Sequence, residues 1–187
     1  MKLVKANKLF DIFYGVNLDL NKLEEVDPKE RNAIRYIGRS EKNNGITAFV
    51  LKDKKYTPNP SMTISVAAGG SVMSCFLQED EYYSGRDLFY LKPKIKMNRN
   101  VLLYYCLALN MHKFKFSYGR QANKSLENLL IPDISEIPKF VHENEFLNKK
   151  LDDTDKFIKI MLTEHKIANC YKRLDQIFDL VNGVSSS

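Results

Sequence analysis

Between residues 33 and 93 the sequence breaks into five short runs dense in β-branched and aromatic residues. They are AIRYIG (33–38), ITAFVL (46–51), MTISVA (62–67), SVMSCFL (71–77) and DLFYLKP (87–93), each bounded by Gly, Asn, Asp or Pro. Runs of this length and composition predict strands. KNNG (42–45) and AGGS (68–71) are strong turn signals between them. The next segment, NRNVLLYYCLALNMHKF (98–114), has the apolar density and length of a buried helix, with Asn98 or Asn100 as its N-cap. Short strands followed by a helix predict an α/β (α+β), β-rich globule over residues 1–140.

A second texture begins near residue 145. Phe157, Ile160, Met161, Ile167, Ala168, Tyr171, Leu174, Phe178 and Val181 fall in steps of three and four, with Lys, Asp and Glu between them. That spacing draws one apolar stripe along a helix, so residues 141–187 are expected to be helical up to the polar tail NGVSSS. The stripe packs on its own domain or pairs with a partner helix. A single helix would leave it wet, which favours pairing.

At 187 residues the chain fits one domain plus an appendage, or two small domains. No apolar run approaches the ~20 residues of a spanning helix, and the start MKLVKANKLFDIFYG lacks the apolar core of a secretory leader. The three cysteines, Cys75, Cys106 and Cys170, form no CxxC pair. Cys75 and Cys106 sit in apolar runs and are expected as core thiols in a reducing, cytoplasmic setting. His112, His142 and His165 have no metal-ligand spacing, so no metal or cofactor is expected. GxSxG, GxxxxGK[ST], GxGxxG after a strand and HExxH are all missing from the sequence, and QEDEYY (78–83) reads as a solvated turn.

Polar loops are what the chain does offer. Residues 38–45 carry Arg39, Ser40, Lys42, Asn43 and Asn44. Residues 67–74 bring a backbone capable of close approach at Gly69 and Gly70, beside Ser71 and Ser74. Residues 82–87 carry Ser84 and Arg86, and the stretch KFKFSYGRQANKSLENLLIP (113–132) carries Tyr118, Arg120, Gln121, Asn123 and Lys124. Arg suits the guanine edge in the major groove, and Asn or Gln suits adenine. Lys, Ser and backbone amides suit phosphates. Singly, each loop reads first as a hydrophilic turn, and Arg120 reads nearly as well as a structural ion pair. Together, in a chain of net charge +6 and pI about 9.1, they point to a reader of duplex DNA.

These residues carry a resemblance. IRYIGRSEKNNGITAFV, ISVAAGGSVMSCFLQEDEYYSGRDLFYLKPK and YYCLALNMHKFKFSYGRQANKSLENLLIPDI occur in the order found in target recognition domains of restriction–modification specificity proteins. Those are the S subunits of type I systems and the related recognition subunits or domains of type IIB and IIG enzymes. The resemblance covers residues 9–134, and YGR…N…L…IP is its most characteristic piece. It implies an α/β globule that reads half of a bipartite DNA site, followed by a long helix. In full S subunits two such units stand in tandem. Their helices pair antiparallel as a ruler and dock methyltransferase subunits. This chain has one recognition unit and one helical region, so it resembles a half-subunit, a natural single-unit version or a fragment of a larger enzyme. The resemblance implies a non-catalytic chain. Its implied partners are double-stranded DNA, an adenine methyltransferase (M) subunit, a restriction subunit and a second copy through the stripe. On the same resemblance, KFKFSY becomes a strand with an aromatic inner face, Gly119 turns Arg120, Gln121 and Asn123 outward, and NKSLENLL (123–130) forms a short helix. Three alternatives stay open: a recognition fragment of a fused type IIG enzyme, a DNA-binding module outside restriction, or an enzyme whose site is not visible in the sequence.

Overall fold

The N-terminal residues, for which the sequence pattern suggests no strand, form three elements: strand β1 (Leu3–Lys5), the one-turn helix α1 (Ala6–Leu9) and strand β2 (Phe10–Tyr14). The chain divides into two compact units, Met1–His142 and Glu143–Ser187. The computed structural model describes residues 1–116, 122 and 125–143. The apolar stripe from Phe157 to Val181, with Cys170 and His165, lies outside the described residues.

Each of the five runs read as strands forms one, β4 in full and the others with shifted ends: β3 (Ala33–Ile37), β4 (Ile46–Leu51), β5 (Thr63–Ala67), β6 (Cys75–Gln78) and, after the additional strand β7 (Tyr82–Ser84), β8 (Leu88–Pro93). Helix α2 (Arg99–Asn110), strand β9 (Leu130–Pro132) and the short helix α3 (Lys139–Glu143) follow. Among the described residues three sheets result: β1 with β9, a four-stranded sheet in the order β2-β8-β5-β6, and a three-stranded sheet in the order β4-β3-β7. Pairing is antiparallel except between β3 and β7, where Arg35, Tyr36 and Ile37 run alongside Tyr82, Tyr83 and Ser84.

Helix α2 starts where its cap says it should. The Asn98 side chain accepts from the Val101 amide at 2.9 Å, filling one of the donors a helix start leaves open. Val101, Leu102, Tyr105, Cys106 and Leu109 share one face and pack on Ile64, Val66, Cys75 and Leu91 of the four-stranded sheet. Asn110 closes the far end. Its side chain accepts from the Cys75 amide at 3.0 Å and donates to the Cys75 carbonyl at 3.1 Å, satisfying backbone groups of edge strand β6. Cys75 and Cys106 are free thiols in this core, and burial raises both pKa values, that of Cys106 to about 12.

Several expectations are corrected. Helix α2 is amphipathic rather than buried all round, because Leu107 and Met111 are largely exposed on its outer face. KFKF (113–116) is a 3-10 turn: its period-two alternation mimics a strand, but it follows directly on the helix end, where the Lys115 amide still donates to the His112 carbonyl. The helix expected over residues 123–130 reduces, among the described residues, to the 3-10 turn Leu126–Asn128. The prolines at 132 and 138 disfavour helix in the residues before them and lead one to expect IPDISEIP (131–138) as extended, but Asp133 caps a turn at Ile134–Glu136. The amide and hydroxyl of Ser135, with the Lys2 ammonium, hold the Asp133 carboxyl down at about 2. Finally, the stretch read as a solvated acidic turn runs into β7, whose Tyr82 and Tyr83 are buried. Glu79, Asp80 and Glu81 stay at the surface, paired with Arg99, Arg35 and Lys52.

Among the described residues two smaller clusters accompany this core, and the second joins the two larger sheets. Ile34, Tyr36, Val50 and Tyr83 of the three-stranded sheet pack against Val16 and Leu18 from the segment after β2 and Tyr56 from the segment after β4. Ile37 and Tyr82 of the three-stranded sheet meet Ala67 and Leu88 of the four-stranded one. The second cluster positions the site, because β3 and β5 end in it, β8 begins in it, and the short β7 runs from it to Ser84.

Candidate nucleic-acid interface

Three loops leave this junction and lock onto one another through the backbone. The Gly85 amide donates to the Ile37 carbonyl at 3.1 Å, the Ala68 amide to the Asp87 carbonyl at 2.8 Å, and the Ser71 amide to the Arg39 carbonyl at 3.3 Å. Residues 38–40, 68–71 and 85–87 are therefore neighbours. Close approach demands glycine at position 70. Its φ is +63°, and a Cβ there would stand 3.0 Å from Arg39 Cβ and 3.2 Å from the Arg39 carbonyl.

Asp87 organises the side chains. Its Oδ2 accepts from Arg39 Nη1 at 2.8 Å and lies 3.4 Å from Arg86 Nε. Its amide donates to the Tyr14 hydroxyl at 2.8 Å. Its backbone sits at φ 57°, a left-handed conformation that a non-glycine residue keeps only where its surroundings over-determine it. Asp87 was not among the residues singled out from sequence. The available signal was the RD dipeptide itself, a lone carboxylate directly after an arginine in a loop otherwise read for its cations.

The 38–45 loop is built on left-handed asparagines. Asn43 and Asn44 have φ of 50° and 53°, which Asn tolerates, and Gly45 completes the turn at 79°. The Gly38 amide donates to the Gly45 carbonyl at 2.8 Å, closing the loop, and the Lys42 amide donates to the Ser40 hydroxyl at 3.1 Å. Lys42, Asn43 and Asn44 are exposed, although the Asn44 carbonyl is tied to buried Gln78 at 3.0 Å. Lys113 ion-pairs with Glu41 at the loop's flank and holds its carboxyl below the usual carboxylate range. Arg39, Lys42, Arg86 and Lys113 thus stand against two carboxylates, Glu41 and Asp87, which leaves an excess of positive charge for a phosphate backbone.

The structure brings Arg39, Ser40, Ser71 and Arg86 to this one corner, with Lys42, Asn43 and Asn44 on the same loop as Arg39. Two other candidates serve the interior. Ser84 is 1% exposed, and its hydroxyl accepts from Asn59 at 2.9 Å. Ser74 is 5% exposed and closes the 71–74 turn through its backbone. Tyr118, Arg120, Gln121, Asn123 and Lys124 lie outside the described residues. Ala122, between them in the chain, is fully buried and donates its amide to the Ala68 carbonyl at 3.3 Å, beside the paired glycines. Among the described residues no group of acidic, His or Cys side chains could hold a metal ion, and no helix is long and apolar enough to cross a membrane.

Comparison with known proteins places this geometry. Residues 7–169 match the type I restriction modification DNA specificity domain family. A curated relative from Heyndrickxia coagulans, the specificity subunit S.BcgI of a type II restriction enzyme, is 25% identical over 94% of this chain and 53% of its own length. The type I restriction–modification S subunit of M. genitalium superposes with a TM-score of 0.56 at 18% identity, over 87% of this chain and 42% of that one. The HsdS subunit of Thermoanaerobacter tengcongensis gives 0.54 at 18% identity, over 94% and 43%. This chain spans about half the length of the relatives it matches.

Proposed function

Because the chain belongs to the type I restriction modification DNA specificity domain family, we propose that its globular unit reads a short sequence in duplex DNA and directs a restriction–modification complex to it. The observation that supports this most is the meeting of three loops from two sheets around Asp87, with two arginines oriented by one carboxylate at a net positive corner. Arg39 and Arg86 read base edges in the major groove, while Ser40, Lys42, Asn43 and Ser71 hold the backbone. Tyr118, Arg120, Gln121, Asn123 and Lys124, the chain neighbours of Ala122, carry side-chain types that suit the same reading. The chain performs no chemistry itself. Methyl transfer and cleavage belong to an adenine methyltransferase subunit and a restriction subunit in the cytoplasm.

Binding of this kind displaces counterions, so affinity for duplex DNA falls with salt. Four to six phosphate contacts give a log–log slope of about −4 to −5. Fluorescence anisotropy of a labelled duplex between low and moderate salt measures it, and a slope near zero rejects the phosphate contacts.

A bipartite site needs a second reading unit, and the matched relatives are about twice this chain's length. A second copy supplies that unit through the stripe of Phe157, Ile160, Met161, Ile167, Tyr171, Leu174, Phe178 and Val181, whose helical spacing suits a two-helix seam. Sedimentation of the full chain then gives a dimer, and deletion of residues 145–187 gives a monomer. A monomer in both cases rejects the seam.

A further inference from the structure

Two features of the Asp87 corner stand out once the loops are in place. First, the carboxylate takes the Nε edge of Arg86, which is 74% exposed, and Nη1 of Arg39, which is 38% exposed. Among the described residues the two terminal amino groups of Arg86 have no protein partner, and they are the pair that can grip a guanine edge end-on. Second, Asp87 is itself held from three sides. The Tyr14 hydroxyl accepts from its amide, the Ala68 amide donates to its carbonyl, and its side chain is only 18% exposed while its backbone stays left-handed. Tyr14 is fixed in turn by edge-to-face packing on Phe89 at 5.1 Å.

We infer that Asp87, held by Tyr14, is a positioning residue for sequence discrimination: it aims the guanidinium groups of Arg39 and Arg86 at base edges and works against affinity while doing so. The inference rests on the DNA-reading function proposed above. A carboxylate beside a phosphate backbone repels it, so a residue kept only for binding strength would not be acidic here. A carboxylate that fixes two flexible arginine side chains removes the rotamers in which they would meet any phosphate, and leaves those in which they meet a base. Asp87 then lowers non-specific affinity and raises the ratio of specific to non-specific binding.

The test uses the full chain and two labelled duplexes, one enriched by the protein from a random pool and one scrambled. Asn tolerates the left-handed backbone at position 87 and keeps a side-chain acceptor while removing the charge. Asp87→Asn is expected to bind the scrambled duplex more tightly and to lower the specific-to-scrambled ratio by roughly tenfold. In an Arg39→Ala/Arg86→Ala background the same change leaves the ratio where it is. Tyr14→Phe changes no charge and lowers the ratio in the same direction, and it carries the test should Asp87→Asn not fold. A ratio unchanged in both single variants overturns the inference, as does a further fall when both arginines are already gone. Wild-type protein that enriches no sequence at all instead sinks the DNA-reading function, and the inference with it.

Discussion

Gly15→Ala removes a large share of the protein's margin of stability. A Cβ at position 15 would stand 2.2 Å from the Ser84 hydroxyl and 3.1 Å from the Leu88 carbonyl. The φ of Gly15 lies outside the left-handed region, so the requirement is for space and not for a glycine-only backbone. Ser84 cannot give way cheaply. Its hydroxyl accepts from Asn59 at 2.9 Å, the Asn59 side chain accepts from the Val16 amide at 3.0 Å, and Asn59 exchanges backbone hydrogen bonds with Tyr82. Moving Ser84 leaves a buried amide unpaired, at about 1–3 kcal/mol. Overpacking adds a similar ~1–3 kcal/mol. The sum, about 2–6 kcal/mol, compares with the ~5–15 kcal/mol that holds a typical domain folded. Urea denaturation followed by circular dichroism measures the loss. Gly15→Ala/Ser84→Ala recovers part of it, because the closest clash goes with the hydroxyl. A loss below about 0.5 kcal/mol, the usual range for surface changes, would show that the junction yields.

Arg39→Ala/Arg86→Ala acts at the other end of the same loops and spares the fold. Both side chains belong to exposed ion pairs, which contribute ~0–1 kcal/mol each to stability, so the midpoint of unfolding moves little. If each arginine reads a guanine at ~1–3 kcal/mol, the double variant loses about 2–6 kcal/mol of specific binding. The salt slope becomes shallower by about one unit for each arginine that touches a phosphate instead. Titration of the enriched and scrambled duplexes separates the two. A loss confined to the enriched duplex assigns base reading, and an equal loss on both assigns phosphate contact.

Local rules carried the reading of the fold wherever the deciding contacts were local. Ile46–Leu51 and Leu88–Pro93 are strands by composition, and Asn98 caps α2 by its position alone. Where pairing crosses the chain, those rules had nothing to act on. Tyr82–Ser84 is a strand because it lies parallel to β3 more than forty residues earlier, and no acidic run suggests that. Leu3–Lys5 exists because Leu130–Pro132 arrives from the other end of the unit. The candidate site divides in the same way. Arg39 and Arg86 were visible as loop cations. The inward turn of Ser84 and the dependence of Asp87 on Tyr14 are set by residues 25 and 73 positions away in the chain. Composition can nominate the polar residues of a loop, but only the packed junction decides which of them face outward.

The central proposition is that a β-rich corner of this chain distinguishes one duplex sequence from another. Selection of bound duplexes from a random pool by the full protein addresses it without presupposing the target. The proposed function predicts enrichment of a defined motif: a split, two-fold symmetric one if the chain acts as a dimer, or a single short asymmetric one if it acts alone. That enrichment should disappear in Arg39→Ala/Arg86→Ala protein that remains folded. A pool that stays random after repeated rounds with wild-type protein, or a motif recovered unchanged by the double variant, contradicts reading by this corner.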